Sequence, residues 1–253
     1  MISIRRLTLG RGLSLSASLG SVLGHDLNAA WLPRLLGFQV GRGAVLYARC
    51  LAPDSELGEH VLIETEVRIG ARVAIAASAT IRRRAVLGPD VDIGSGCTVG
   101  EGARLQNISI EHGTAVESEV VCLGHGSGRI TVGRETYLGL RSVLDWSSDI
   151  KIGDFVHIAG PSTALWTHSS VDQALHGDLL AVKTRRTTAP IEIGNRVYIG
   201  GNCTVYPGVT IGNGAVILPN SAVNRDVPEG VLAGGVPVRV LRSIASEGWQ
   251  PGA

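Results

Sequence analysis

The sequence predicts an all-β fold: a parallel β-helix of hexapeptide repeats, with a protruding loop at 165–190 and short helical or capping segments at its ends. Three observations predict it. An aliphatic residue returns at every sixth position over most of 45–225, a small or β-branched residue sits four positions after each, and glycine often follows the aliphatic anchor. An α-helix repeats at 3.6 residues and a half-buried strand at two. Six is three twos: a short strand, a corner, then a strand on a new face. Three such units close one triangular coil, and coils stack so that each buries its neighbour.

Residues 1–43 read as a lead-in without the repeat. Its opening, "MISIRRLTLGRGLSLSASLGSVLG", carries Arg5, Arg6 and Arg11. Gly10 and Arg11 interrupt the apolar centre that a secretory signal needs, so the expected location is cytoplasmic. In "HDLNAAWLPRLLG" (25–37), Asp26 is a candidate N-cap, and Leu27, Ala30, Trp31 and Leu35 share a face. Pro33 limits this helix to a turn or two, and Gly37 stops it.

The first repeat section spans 44–128. From Val45 the anchors run Leu51, Leu57, Ile63, Ile69, Ile75, Ile81, Leu87, Ile93, Val99 and Leu105. The small slots from Val61 are Val67, Val73, Ala79, Ala85, Val91, Cys97 and Ala103, and glycine follows the anchor at Gly58, Gly70, Gly88, Gly94 and Gly100. Over 106–131 the rhythm blurs, and "CLGHGSG" reads as a loop. The second section, 129–225, opens at Val132, Leu138 and Leu144, shifts by two, and resumes at Ile152, Ile158 and Ala164. It restarts at Ile193 and runs to Val223, with slots at Val197, Cys203, Val209, Ala215 and Ser221. Residues 226–253 read as a cap over the open end of the prism and a tail, disordered after about Ser246.

Composition narrows the function. A net charge of +1 over 253 residues argues against a general binder of nucleic acid or anionic membrane. Hydrophobic residues are 44% and aromatics only 4%, so the core must be built from small aliphatic side chains. Cys50, Cys97, Cys122 and Cys203 form no C-x-x-C pair and read as buried free thiols. No run of about 18 apolar residues suggests a membrane span.

A prism is scaffold, so function is expected where the pattern breaks. The longest break is 165–190, "LWTHSSVDQALHGDLLAVKTRRTTAP", with His168 at its start. Histidine titrates closest to neutrality, which suits a general base that activates a hydroxyl. His176 in the same loop reads as substrate-facing or solvated. His112 and His125 fall in the blurred region, His157 reads as an outward structural residue, and His25 flanks the short helix. Lys183, Arg185 and Arg186 read as a solvated face or as cations for phosphates.

Several stretches carry a family resemblance. They are "IGDFVHIAGPSTALWTHSS" with its T-H pair, "PIEIGNRVYIG" at 190–200, "YPGVTIGNGAVI", and "VLAGGVPVRVLR". Together these resemble the hexapeptide-repeat acyltransferases, and within them the galactoside and maltose O-acetyltransferases. The resemblance implies left-handed coils, acetyl-CoA as co-substrate, no metal, a homotrimer with sites between chains, and His168 as the base. It implies a coenzyme wall of Tyr198, Gly201, Pro219, Asn224, Arg225, Arg239 and Arg242. It also implies Asp145 and Trp166 as contacts to a sugar. "Leu218-Pro219-Asn220" departs from the family's usual Gly-Ala-Gly, removing a backbone donor at Pro219 and adding bulk. The alternatives are a non-catalytic repeat scaffold, suggested by the long first section, and a γ-class carbonic anhydrase-like metal enzyme using His157, His168 and His176. The R-G-D and N-I-Q-D stretches of the anhydrases are missing.

Overall fold

The structure, a computed structural model, describes residues 55–176 and 187–244, together with the strand backbones at 13–14, 39–40, 45–46 and 50–51. The expected helix at 25–37, His25, the cationic residues Lys183, Arg185 and Arg186, and the tail after Ser246 lie outside the described residues.

Short strands alternate among three faces and pair in parallel with the strand one coil away. Face A runs from Cys50–Leu51 through Arg68–Ile69, Val86–Leu87, Arg104–Leu105, Val121–Leu123, Val143–Asp145, Ala164–Leu165 and Thr204–Val205 to Ala222–Val223. Face B runs from Gln39–Val40 to Thr210–Ile211, and face C from Val45–Leu46 to Val231–Gly234. Face B alone has nine strands, so the column is about nine coils tall. A final strand, Arg239–Ser243, pairs antiparallel with Val231–Gly234 and ends face C.

The six-residue rhythm has a direct structural cause. In Val91–Ile93 the two aliphatic residues are buried and Asp92 points out. The anchors from Leu57 to Leu105 line the axis at 5% exposure or less, and the small slots from Val61 to Ala103 are as deeply buried. Corners must turn sharply, and one position in most of them takes a left-handed backbone. His60, Glu66, Arg72, Ser78, Arg84 and Asp90, six apart, have φ between 54° and 64°, and Gly96 and Gly102 continue the series. Such a conformation costs a non-glycine residue about 1–2 kcal/mol, which packing of the anchors must offset. Gly100 is needed for another reason: a Cβ there would lie 2.4 Å from the Glu117 carbonyl carbon of the next coil.

The corners differ in a way that locates the site. Between faces B and C every described corner has four residues, as in 94–97, 153–156 and 212–215. Between faces C and A they do too, except at 159–163. Between A and B the length changes from coil to coil: 88–90, 106–107, 124–129, 146–149 and 166–190. The blurred rhythm over 106–131 is therefore ordinary coil with irregular A–B corners, and "CLGHGSG" supplies one of them. The shift by two after Leu144 is the corner 146–149. One anchor needs correction: Leu165 is buried at 1% and pairs with Leu144, whereas Ala164 faces outward. The loop 165–190 also holds more structure than its composition suggests. His168–Ser169 pairs antiparallel with Thr187–Thr188, and Val171–Leu175 forms a single helical turn.

Exposed charges balance between coils. Arg72 pairs with Asp90, Arg82 with Glu64, and Arg83 and Arg84 both with Glu101. Exposed pairs of this kind contribute about 0–1 kcal/mol each. Cys97, Cys122 and Cys203 are buried free thiols. Burial raises all three, Cys122 to about 12. Iodoacetamide at pH 8 is therefore expected to leave these three unmodified in the folded protein and to label them in urea, as read by peptide mass spectrometry.

Candidate active site

The A–B corners 124–129, 146–149 and 166–190 stack, and His168 stands on the last of them. Its strand leaves the column just after Leu165, so the imidazole rises from a fixed base. Beneath it lies Asp145, the last residue of its face A strand and fully buried. Asp145 Oδ2 is 2.6 Å from His168 Nδ1, and the imidazole side chain retains 18% exposure.

The carboxylate is saturated. Oδ1 accepts from the Ser147 hydroxyl at 2.7 Å and the Ser147 amide at 3.1 Å. Oδ2 accepts from the Thr167 amide at 2.9 Å. The Thr167 hydroxyl lies 2.6 Å from the Asp145 carbonyl and 3.0 Å from Oδ2, and accepts from the Ser148 amide at 2.9 Å. Burial pushes the Asp145 carboxyl upward, but hydrogen bonds from Ser147 and His168 and the attraction of His168 hold it below its ordinary value. An ionised carboxylate only accepts. His168 Nδ1 must then carry hydrogen, which leaves the Nε2 lone pair of the neutral ring for a substrate proton.

Trp166 sets its ring edge-to-face with His168, with centroids 5.9 Å apart and planes at 88°. It is half-buried, so it can support the imidazole and still offer surface. Tyr206, on the same corner one coil further, is 46% exposed. Asn224 and Arg225 are exposed on that corner after Val223.

The structure does not gather all the sequence candidates within one chain. Tyr198 faces outward on face C, stacked with His157, which stacks in turn on Tyr137. Gly201 and Pro219 lie on the C–A corner, where a Cβ on Gly201 would approach the Gly160 carbonyl oxygen to 2.4 Å. Arg239 is exposed and donates from Nη1 to the Val238 carbonyl. Arg242 is partly buried on the final strand. Asp145 requires correction: it has no exposed oxygen to offer a sugar hydroxyl, because both are turned inward onto Ser147, Thr167 and His168. Ser147 and Thr167 were not singled out in the sequence. The T-H pair was a signal for Thr167; nothing local marks Ser147.

The histidines considered for metal lie on different parts of the column. His157 is in the face C stack and His176 ends the helical turn, its Nδ1 2.8 Å from the Asp172 carbonyl. Among the described residues no three His, Cys, Asp or Glu side chains are grouped to hold a metal ion. Among the same residues no helix is long and apolar enough to cross a membrane.

Residues 190–225 match the family model described as bacterial transferase hexapeptide, six repeats. That stretch of the chain carries the hexapeptide repeat. The chain is 37% identical over 126 residues to the galactoside O-acetyltransferase of Escherichia coli (strain K12), covering 49% of the chain and 58% of the relative. It is 30% identical to a putative lipopolysaccharide biosynthesis O-acetyl transferase of the same organism, covering 42% of the chain and 64% of the relative. The chain thus spans less than two thirds of either relative's length. The solved Arabidopsis UDP-N-acetylglucosamine acyltransferase superposes with a TM-score of 0.57 at 15% identity, covering 82% of the chain and 71% of that structure, a likeness of fold.

Proposed function

We propose that the protein is an acetyl-CoA-dependent O-acetyltransferase acting on a hydroxyl of a sugar or sugar-bearing small molecule. The observation that carries this reading is the buried Asp145 bonded to Nδ1 of a partly exposed His168 on the irregular corner. His168 Nε2 takes the proton of the acceptor hydroxyl as its oxygen attacks the thioester carbonyl. The C–S bond breaks, and the departing thiolate receives that proton from His168. The product is an acetyl ester and free CoA, with no acyl-enzyme. Trp166 offers an aromatic face to a sugar ring. The sugar acceptor is supported by the names of the two Escherichia coli relatives.

The coenzyme candidates divide between two edges of the column. Asn224 and Arg225 share the corner of His168, while Tyr198, Gly201 and Pro219 lie around face C. A homotrimer would let one chain's His168 corner meet another chain's face C, and this division supports that arrangement. Gly200 and Gly201 serve the close packing of neighbouring coils, since a Cβ on either would lie 2.4 Å from Pro219 N or the Gly160 carbonyl oxygen, and Arg225 supplies charge for phosphate. Dependence on acetyl-CoA and the buried free thiols are in keeping with the cytoplasm.

The test is acetyl transfer with free-thiol detection across hydroxyl and amine acceptors, joined to thermal-shift titration with CoA. At 100-fold excess over the dissociation constant, CoA is expected to stabilise the fold by about 2.7 kcal/mol. No shift and no thiol release with any acceptor would leave only a repeat scaffold.

A further inference from the structure

The corner 124–129, one coil below Asp145, is longer than its counterparts at 88–90 and 106–107, yet no part of the proposed chemistry uses it. Its sequence alternates: Gly124-His125-Gly126-Ser127-Gly128. Each glycine faces the next coil at a separation that no side chain could enter. A Cβ on Gly126 would lie 1.9 Å from the Ser147 carbonyl oxygen, one on Gly128 2.2 Å from the Ser148 carbonyl carbon, and one on Gly124 2.8 Å from the Ser147 nitrogen. The segment therefore lies flat against 146–148 as a strap.

The strap has one polar contact that reaches the site. The His125 amide donates to Ser147 Oγ at 3.3 Å. That hydroxyl has a single proton, and its closest acceptor is Asp145 Oδ1 at 2.7 Å. It also lies 3.3 Å from His168 Nδ1. With its proton committed to Asp145, it can meet the imidazole only as a second acceptor for the Nδ1 hydrogen. Ser147 thus acts on His168 twice: it turns Oδ2 of Asp145 toward the ring, and it favours the ring form protonated at Nδ1.

We propose that Ser147, oriented by the Gly124–Gly128 strap, is a positioning residue that holds His168 in the Nδ1-protonated tautomer. The proposal rests on the transferase reading for its effect on rate, but the tautomer itself is independent of that reading.

The test combines ¹⁵N-histidine NMR with steady-state kinetics on the full chain. His168 resonances are assigned by their loss in His168→Gln. The neutral wild-type ring is expected to show a protonated Nδ1 and a bare Nε2. Ser147→Ala is expected to show a mixture of tautomers and a kcat lowered roughly 10-fold, with the KM for acetyl-CoA within about twofold. Gly126→Ala, which displaces the strap and leaves the hydroxyl in place, is expected to move both readouts in the same direction. Ser147→Thr, which restores a hydroxyl, is expected to recover the single tautomer. Should the alanine variant fail to fold, Ser147→Cys keeps the volume, lacks a strong acceptor, and carries the same expectation. A single Nδ1-protonated form in Ser147→Ala or Ser147→Cys would overturn the proposal. A tautomer mixture in a protein that transfers no acetyl group would uphold it and sink the transferase reading instead.

Discussion

His168→Ala is expected to lower kcat by roughly 10²–10⁴, the usual contribution of a positioned general base. The residual rate would come from binding alone. The column should be unaffected, because the imidazole is outside the axial core and its removal opens no cavity among the anchors. The checks are acetyl transfer at saturating acetyl-CoA and thermal unfolding of the same preparation. An unfolding midpoint near wild type beside the lost rate places the loss in chemistry. Near-wild-type turnover in this variant would remove His168 from the mechanism.

Asp145→Asn is expected to lower kcat by a similar factor, roughly 10²–10⁴, and also to destabilise the fold. The two effects share one origin. An amide has a single acceptor oxygen, and Asp145 presently satisfies donors on both of its oxygens. If the new amide nitrogen faces His168, it forces the wrong tautomer and takes the base away. If it faces Ser147 instead, the buried Ser147 amide loses its partner, at a cost of about 1–3 kcal/mol. The pH dependence separates this from general damage. The Asp145 carboxyl is held below its ordinary value in the folded state. Its contribution is therefore fully present above the unfolded carboxylate range, near about pH 4, and is lost as pH falls through the lower folded value. The gap in unfolding midpoint between wild type and Asp145→Asn is thus expected to be widest near neutrality and to narrow toward pH 3. A gap independent of pH would mean that the carboxylate charge is not what stabilises the site.

Much of the column was legible because burial repeats with the sequence. Every anchor from Leu57 to Leu105 is at an axial position, since a residue pointing the other way would carry an aliphatic side chain into water. Legibility failed where corner length changed. The choice of Ala164 over Leu165 came from stepping by six through a corner, 159–163, that holds one more residue than its neighbours. The site was half legible. His168 could be found because it opens the longest departure from the pattern. Asp145 reads as a sugar contact by resemblance, and its neighbours along the chain do not reveal that Thr167 and Ser147 close over it. Those contacts join residues from two coils, and only the register between Val143–Asp145 and Ala164–Leu165 brings them together. The strap was invisible for the same reason: its glycines answer to the backbone at 147–148 rather than to any turn of their own.

The unequal lengths along a single corner make that edge independent of the rest. Residues can be added to or removed from 124–129, 146–149 or 166–190 without re-indexing a single axial side chain, since each rung regains its partner as soon as the chain re-enters face B. The frame and the chemistry are therefore separable inheritances: exchanging these three segments alone should carry acceptor preference from one such column to another, while transplants at the corners between faces B and C or C and A would carry nothing but shape.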